Sequence, residues 1–166
     1  MTLAQDASAF LDAVGTAGTL LGLDPGTKTI GVAVCDERRT LASPLETIFR
    51  QGLHLDLERL HLLIQQREAI GIVLGMPVNM DGSAGRRAQS VRAFSRSIER
   101  GLGLPVLHWD ERLSTIAAED AMIAADLGRA KRAGRLDAAA AASILQGALD
   151  AFTGIEAQRR SQVDDS

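Results

Sequence analysis

The stretch from Leu20 to Val34, LLGLDPGTKTIGVAV, decides how this chain folds. Two runs of aliphatic and β-branched residues flank a Pro-Gly turn, which is the pattern of two strands joined by a tight connection. Asp24 stands where the first run ends. An aspartate before Pro-Gly is also ordinary turn chemistry, because its side chain bonds nearby backbone groups. Other parts of the chain must therefore indicate whether Asp24 is more than a turn residue.

The composition bounds the class of protein. The 166 residues are 46% hydrophobic and 23% charged, which is typical of one globular domain with a single core. Aromatic residues make up only 3%, so the core must be built from aliphatic side chains. Cys35 is the single cysteine and is expected to be a buried small hydrophobe. No apolar run of membrane-spanning length and no signal sequence is visible, so we expect a cytoplasmic protein that makes no membrane contact.

The charge is unevenly distributed. A formal net charge of −3 gives no overall attraction to nucleic acid, yet arginine and lysine concentrate in residues 86–100 and again in residues 129–135. A solvated helix face explains the first cluster as well as a binding patch does. Gly128 and Gly134 flank most of the second cluster, and they predict a flexible basic arm before the last helix.

The hydrophobic periodicity predicts an α/β fold with the order β-β-β-α-β-α-β-α-α. The first three strands form an antiparallel meander, and two helix–strand units then add parallel strands. The predicted strands are Leu20–Asp24, Thr29–Asp36, Leu41–Phe49, Ile70–Met76 and Pro105–Trp109, and the predicted helices span about 53–64, 91–98, 114–122 and 136–152. Residues 1–18 are interpreted as an N-terminal extension with a weak helical pattern, 19–153 as the domain and 154–166 as a polar tail.

Carboxylates are predicted to meet at one edge of this sheet, where the parallel strands end. Asp24 ends the first strand, and Asp110 and Glu111 follow the fifth in the sequence HWDER. Strand alternation places Glu111 on the side of Trp109 and Asp110 on the opposite side. Asp137 is predicted in the first turn of the last helix, at the head of its apolar face. Stabilisation by the helix N-terminus, about 0.3–1 kcal/mol, would explain Asp137 alone. The three strand-end and helix-start positions together favour a shared site.

The chemistry of such a site is set by its ligand atoms. Carboxylate oxygens without histidine or cysteine partners suit Mg²⁺ or Mn²⁺. Two such ions can hold both the attacking and the leaving oxygen of a phosphodiester. The three histidines are not spaced as a metal cluster, and His54 and His61 are predicted on a helix surface.

Four separate motifs make the chain similar to a known family. They are DPGTK with IGVA at 24–33, GMPVNMDGS at 75–83, DERLST at 110–115 and DAAAAASILQ at 137–146. In these motifs the chain resembles the YqgF family, also called RuvX, of Holliday-junction-resolvase-like proteins assigned to maturation of pre-16S ribosomal RNA. The resemblance implies a ribonuclease H-like fold, with a five-stranded mixed sheet flanked by helices, and divalent-metal-dependent hydrolysis of nucleic acid.

The resemblance also implies roles for particular residues. Asp24, Glu111 and Asp137 match the catalytic acids and metal ligands, with Asp24 bridging two ions and the other two holding one each. Asp110 is a further candidate ligand. The residues expected to bind nucleic acid are Thr27, Lys28, Asn79, Arg112, Arg129, Lys131, Arg132 and Arg135. A turn-forming role for Thr27 and Asn79, and a surface ion pair for Arg112, remain equal alternatives.

Several functions stay open at this point. The expected activity is an endonuclease acting at the 5′ end of pre-16S ribosomal RNA, with ribosomal particles among its partners, as a monomer or homodimer. A resolvase of Holliday junctions or other branched DNA is an alternative, because two-metal hydrolysis acts on either backbone. A non-catalytic RNA-binding factor in ribosome assembly is another. The stretch LDPGTKTIGVAV also resembles the first phosphate loop of actin-like ATPases and sugar kinases, but those need two such domains and this chain has the length of one.

Overall fold

The computed structural model describes residues 3–77, 85–113 and 129–164, with side chains described for 7–77, 85–113 and 137–164. Within these ranges the strands are β1 (Leu20–Pro25), β2 (Thr29–Cys35), β3 (Ala42–Phe49), β4 (Gly71–Met76) and β5 (Val106–Asp110). The helices are α1 (Leu3–Val14), α2 (Leu53–Arg67), α3 (Arg86–Leu102) and α4 (Arg129–Asp164), and a 3-10 turn, Glu111–Leu113, follows β5. The helix predicted over 114–122 lies outside the described residues.

The strands form one mixed sheet in the order β3-β2-β1-β4-β5. The pairs β1–β2 and β2–β3 are antiparallel, and the pairs β1–β4 and β4–β5 are parallel. The predicted meander followed by parallel units is therefore confirmed. Because β1, β4 and β5 run in the same direction, their carboxyl ends lie at one edge of the sheet; β4 lies between β1 and β5, and β1 is the central strand of the five.

Helices cover both faces of the sheet. The helices α1 and α4 pack on one face, and α2 and α3 pack on the other. Glycines let α4 approach closely: a Cβ on Gly22 would lie 2.7 Å from the Cβ of Leu145, and one on Gly75 would lie 2.5 Å from Cδ1 of Ile144. The α4 alanines at 138, 139, 141 and 142 are all buried, and Ala141 and Ala142 belong to the core cluster on this face. Small residues on both sides thus set the short distance between helix and sheet.

Cys35 is buried, as predicted. The backbone N–H of Leu20 donates to its Sγ at 3.3 Å. Burial raises the pKa of the Cys35 thiol above its ordinary value, so the side chain stays neutral in the core. His54 and His61 are exposed on α2, also as predicted.

The N-terminal extension is an integral part of the core. Phe10 of α1 is buried and stacks on Phe152 of α4, with ring centroids 5.8 Å apart. The buried guanidinium of Arg39 donates to backbone carbonyls at the end of α1 and just after it, at Val14, Gly15, Ala17 and Gly18. One side chain from the β2–β3 connection therefore fixes the end of α1.

The last helix is longer than predicted at both ends. Residues 129–135, predicted as a flexible arm, have a helical backbone, and the helix continues past Phe152 to Asp164 instead of giving way to a frayed tail. Arg, Lys, Ala and Gln are strong helix formers, and they outweigh Gly134 and Gly154, each of which costs about 1 kcal/mol. By length and composition alone, the segment Asp137–Asp164 is long and apolar enough to cross a membrane. Core helices of soluble proteins often have the same length and composition, and more than half of the apolar stretch in this segment is buried inside the protein.

Candidate active site

Asp24 lies at the carboxyl end of the central strand. On β1, Leu20 belongs to the core cluster under α4 and Gly22 contacts Leu145 of that helix. Alternation along the strand places Asp24 in the same row. It is partly buried, and its register partner on β2 is Gly31. The strand therefore carries a carboxylate to the edge of the face that α4 covers.

Asp137 is brought to the same place by two residues of β2. A Cβ on Gly31 would lie only 2.0 Å from the backbone oxygen of Asp137, so α4 rests directly on the strand there. The hydroxyl of Thr29 donates to Oδ2 of Asp137 at 2.8 Å. Since Gly31 pairs with Asp24, the backbones that carry the two acids meet at one point of the sheet edge.

The position of Asp137 within its helix differs from the prediction. The helix α4 begins at Arg129, two turns earlier, so Asp137 is not in the first turn. The influence of a helix N-terminus falls off within that turn. The hydrogen bond from Thr29, and not the helix N-terminus, is what the structure gives as the partner of this carboxylate.

The adjacent acids after β5 have different surroundings. Trp109 belongs to the core under α4, whereas His108 bonds Ser95 of α3 at 2.7 Å through its Nε2. Alternation therefore puts Asp110 on the α3 side, and Glu111 begins the 3-10 turn beyond the strand.

Asp110 is paired with Arg112. The Arg112 guanidinium donates to Oδ2 of Asp110 at 2.7 Å, and the Arg112 backbone N–H donates to Oδ1 at 2.9 Å. The side-chain hydrogen bond from Arg112 is the largest cause that holds the pKa of Asp110 below its ordinary value. This contact is the surface ion pair that the sequence analysis gives as the alternative role of Arg112. The guanidinium of Arg112 therefore neutralises the charge of the Asp110 carboxylate.

The acids share an edge without forming a compact cluster. In the part of the chain that the structure describes, no three His, Cys, Asp or Glu side chains are close enough together to hold a metal ion. The donor set at the edge, from Asp24, Glu111 and Asp137, consists of carboxylate oxygens only, which is the chemistry that Mg²⁺ and Mn²⁺ prefer. The ligand types fit such an ion. Asp24 and Glu111 stand where β1 and β5 end, and Asp137 lies where α4 rests on Gly31 of β2.

The residues predicted to bind nucleic acid lie around this edge or outside the described residues. Thr27 and Lys28 are exposed in the β1–β2 turn, which is closed by a hydrogen bond from Gly26 N–H to the Thr29 carbonyl at 2.7 Å. Asn79 is not among the described residues. Arg129, Lys131, Arg132 and Arg135 lie in the first two turns of α4, with side chains outside the description.

Sequence reasoning missed three residues near the site. The sequence pattern places Thr29 only at the start of a strand, whereas the structure shows its hydroxyl bonded to Asp137. Gly31 belongs to the first motif, and the structure shows that a side chain there would collide with α4. Arg50, beyond β3, donates to the Gly26 carbonyl at 2.7 Å. A glycine inside a strand is a known signal of close backbone approach, so Gly31 was the one detectable case.

The comparison with protein families adds to this geometry. Residues 18–151 match the family model RuvX, described as Holliday junction resolvase. The chain belongs to the RuvX family. The matched residues include every strand of the sheet and the three acids, and leave out α1 and the end of α4.

Relatives in the RuvX family are similar over most of the chain. A protein of Sphingopyxis alaskensis is 57% identical over 144 residues, covering 87% of this chain and 94% of the relative. One from Roseobacter denitrificans is 50% identical over 157 residues, covering 93% and 96%. Both carry the name "Putative pre-16S rRNA nuclease".

Solved structures confirm the predicted ribonuclease H-like fold. RuvC of T. thermophilus, in complex with a Holliday junction substrate, has a TM-score of 0.55 at 16% identity, over 82% of this chain and 96% of that one. The yeast mitochondrial Holliday junction resolvase has a TM-score of 0.53 at 10% identity, over 99% and 90%. At these identities the likeness concerns the fold alone.

Proposed function

We propose that this protein is a divalent-metal-dependent endonuclease that hydrolyses phosphodiester bonds at the 5′ end of pre-16S ribosomal RNA. Membership of the RuvX family and the nuclease names of its relatives support a nuclease. The observation that carries the proposal is that Asp24 and Asp137 both neighbour Gly31: Asp24 is its register partner, and the Asp137 backbone rests on it, with the Asp137 carboxylate bonded to Thr29.

In this proposal Asp24, Glu111 and Asp137 hold the metal. Mg²⁺ or Mn²⁺, when bound, supplies a polarised water and neutralises charge on the phosphate. Asp110 is given an accessory role, because Arg112 already occupies its carboxylate. The hydroxyl of Thr29 fixes one oxygen of Asp137 and so orients the other.

Cations around the edge would hold the substrate strand. Lys28, with the hydroxyl of Thr27 beside it, lies in the turn that follows Asp24. Four basic residues in the first two turns of α4 precede Asp137: Arg129, Lys131, Arg132 and Arg135. Contacts of this kind bind phosphates and fix the register of a strand without reading its sequence. This arrangement favours binding through the backbone of the nucleic acid.

Two further functions are supported by specific observations. The family model is described as Holliday junction resolvase, which favours branched DNA as a second substrate class. The lack of a compact three-acid cluster among the described residues favours a non-catalytic RNA-binding factor. Both are outcomes of the experiment below.

The deciding experiment offers precursor 16S RNA and a four-way DNA junction in parallel, with Mg²⁺, with Mn²⁺ and with EDTA. We expect metal-dependent cleavage of the RNA. Asp24→Asn should reduce the rate by more than about 100-fold, because loss of an outer-shell partner alone costs about 10–100-fold. Its thermal unfolding should match wild type, since the change is nearly isosteric. Glu37→Gln, which neutralises an exposed acid in the β2–β3 connection, is the matched control.

Each contrary result has a distinct meaning. Cleavage of the four-way junction without cleavage of the RNA would show that the substrate is branched DNA and not the RNA precursor. RNA binding without metal-dependent cleavage would favour the assembly factor. Full activity of a folded Asp24→Asn variant would show that the Asp24 carboxylate is not part of the active site.

A further inference from the structure

A pocket with three arginines lies beside the candidate active site, on the opposite face of the sheet. Its volume is about 440 Å³, and buried Val91 and Phe94 of α3 form its floor. We call it the arginine pocket. Its polar rim consists of Gly26, Thr27, Arg50, Arg86, Arg87 and Ser90.

Arg50 is held in place within this pocket. Its Nη1 donates to the Gly26 carbonyl at 2.7 Å, and its guanidinium carbon lies 5.1 Å from the centroid of the Phe94 ring. Its Nε lies 3.5 Å from Oδ2 of Asp56, a carboxylate that is 2% exposed. Three contacts on different elements make Arg50 a fixed wall of the pocket.

The charge of the pocket is positive. Asp56 balances Arg50, while Arg86 and Arg87 are exposed at the start of α3. Neither Asp nor Glu is found among the described residues that line the pocket. Arginine side chains with nearby hydroxyls from Thr27 and Ser90 are well suited to phosphate, which they bind through several hydrogen bonds.

The pocket and the candidate active site share one strand end. Asp24 faces α4, and the next two residues, Pro25 and Gly26, line the pocket on the α3 side. Consecutive Cα atoms are about 3.8 Å apart. A strand of nucleic acid that crosses the β1–β2 turn at Thr27 can therefore reach both places.

We propose that the arginine pocket binds one nucleotide of the substrate strand, next to the phosphodiester bond that is cleaved, with its phosphate on Arg86 and Arg87. The inference rests on the proposed nuclease function and adds a second contact point for the RNA. The volume suits a nucleotide and exceeds what a phosphate group needs, since pockets for small ligands span about 300–1,000 Å³.

The test is a salt titration of RNA binding in EDTA, so that metal plays no part. A fluorescently labelled single-stranded RNA from the 5′ end of the 16S precursor is the probe, and the double variant Arg86→Ala with Arg87→Ala is compared with wild type. Because both arginines are proposed to hold the same phosphate, their loss should flatten the plot of log affinity against log salt by about 0.7 units, at about 0.7 per neutralised phosphate. Arg50 is left intact because it supports the fold through buried Asp56.

The matched control is Arg92→Ala with Arg96→Ala, which removes the same charge from exposed positions of α3 that do not line the pocket. Its slope should remain close to that of wild type. If the salt slope became equally flat in both double variants, the arginines would act by general electrostatic attraction to the RNA, and the proposed binding in the pocket would be wrong. An unchanged slope in the Arg86 and Arg87 variant, or no RNA binding by wild type, would overturn it as well.

Cleavage with Mg²⁺ or Mn²⁺ separates this inference from the proposed function. We expect the Arg86 and Arg87 variant to raise KM more than it lowers kcat. If wild type cleaves RNA and the variant has an unchanged KM, the pocket is overturned and the nuclease stands. If wild type binds RNA without cleaving it and the variant still flattens the slope, the pocket stands and the nuclease fails.

Discussion

Thr29 and Asp137 are 108 residues apart in the sequence, yet a hydrogen bond of 2.8 Å joins their side chains. Replacing Thr29 by valine removes the hydroxyl and keeps the shape. We expect kcat for RNA cleavage to fall about 10–100-fold, because partners that orient a metal ligand carry effects of this size. The measurement is steady-state cleavage at saturating metal.

Thr29→Ser separates orientation from packing, because it restores the donor while losing the methyl group. It should recover most of the rate, with unfolding in urea close to wild type. If serine and valine are equally slow, the hydrogen bond does not orient Asp137.

The adjacent acids Asp110 and Glu111 should respond differently to neutralisation. Glu111→Gln should lower the single-turnover rate by more than about 100-fold, as expected for a ligand. Asp110→Asn should cost less than about tenfold, because Asp110 is bound to Arg112 on the α3 side. The opposite ranking would assign the ligand role to Asp110 and remove Glu111 from the site.

At the scale of elements, the contact between α4 and β2 can be tested through two glycines. In Gly31→Ala the new Cβ would meet the Asp137 carbonyl at 2.0 Å, so the helix has to move. We expect a loss of about 1–3 kcal/mol in the free energy of unfolding, and slower cleavage, because overpacking shifts the backbone.

Gly154→Ala is the matched substitution on α4, where a Cβ has nothing within 4 Å. It should stabilise the protein by about 0.5–1 kcal/mol through helix propensity. Urea denaturation of both variants checks the pair. A Gly31→Ala variant as stable as wild type would contradict the direct contact.

The strand positions of the acids could be predicted from the sequence, but the ends of the last helix could not. Alternation in β1 and β5 predicted the sides of the sheet on which Asp24 and Asp110 lie, because strand periodicity is a local property. Glu111 lies in the 3-10 turn beyond β5, where strand alternation no longer applies. The predicted C-terminal end of α4 was too early; besides local helix propensity, that end has distant partners: Arg159 bonds Ser8 at 2.6 Å and pairs with Asp12 at 3.1 Å, both on α1. No local pattern contains a contact between residues 151 positions apart.

At the scale of the whole molecule, Arg39 joins the first helix to the sheet. It is 6% exposed and donates to four carbonyls at the end of α1 and just after it. Arg39→Met should lower the free energy of unfolding by about 2–4 kcal/mol, because four carbonyls, one of them at buried Val14, lose a charged donor. Arg38→Met, at the exposed neighbouring position, should change it by less than about 0.5 kcal/mol. Equal urea midpoints for the two variants would show that Arg39 does not fix α1.

The pairing of α1 with α4 has a consequence for biosynthesis. The helix α1 leaves the ribosome before α4, but its apolar residues Phe10 and Leu11 pack in a core that includes Phe152 of α4. Domains generally fold as units once their sequence is complete. Until more than 130 further residues have been made, the apolar face of α1 lacks its final cover. A nascent chain of this protein should therefore depend on chaperone protection until α4 is released, and chains that end before α4 should aggregate.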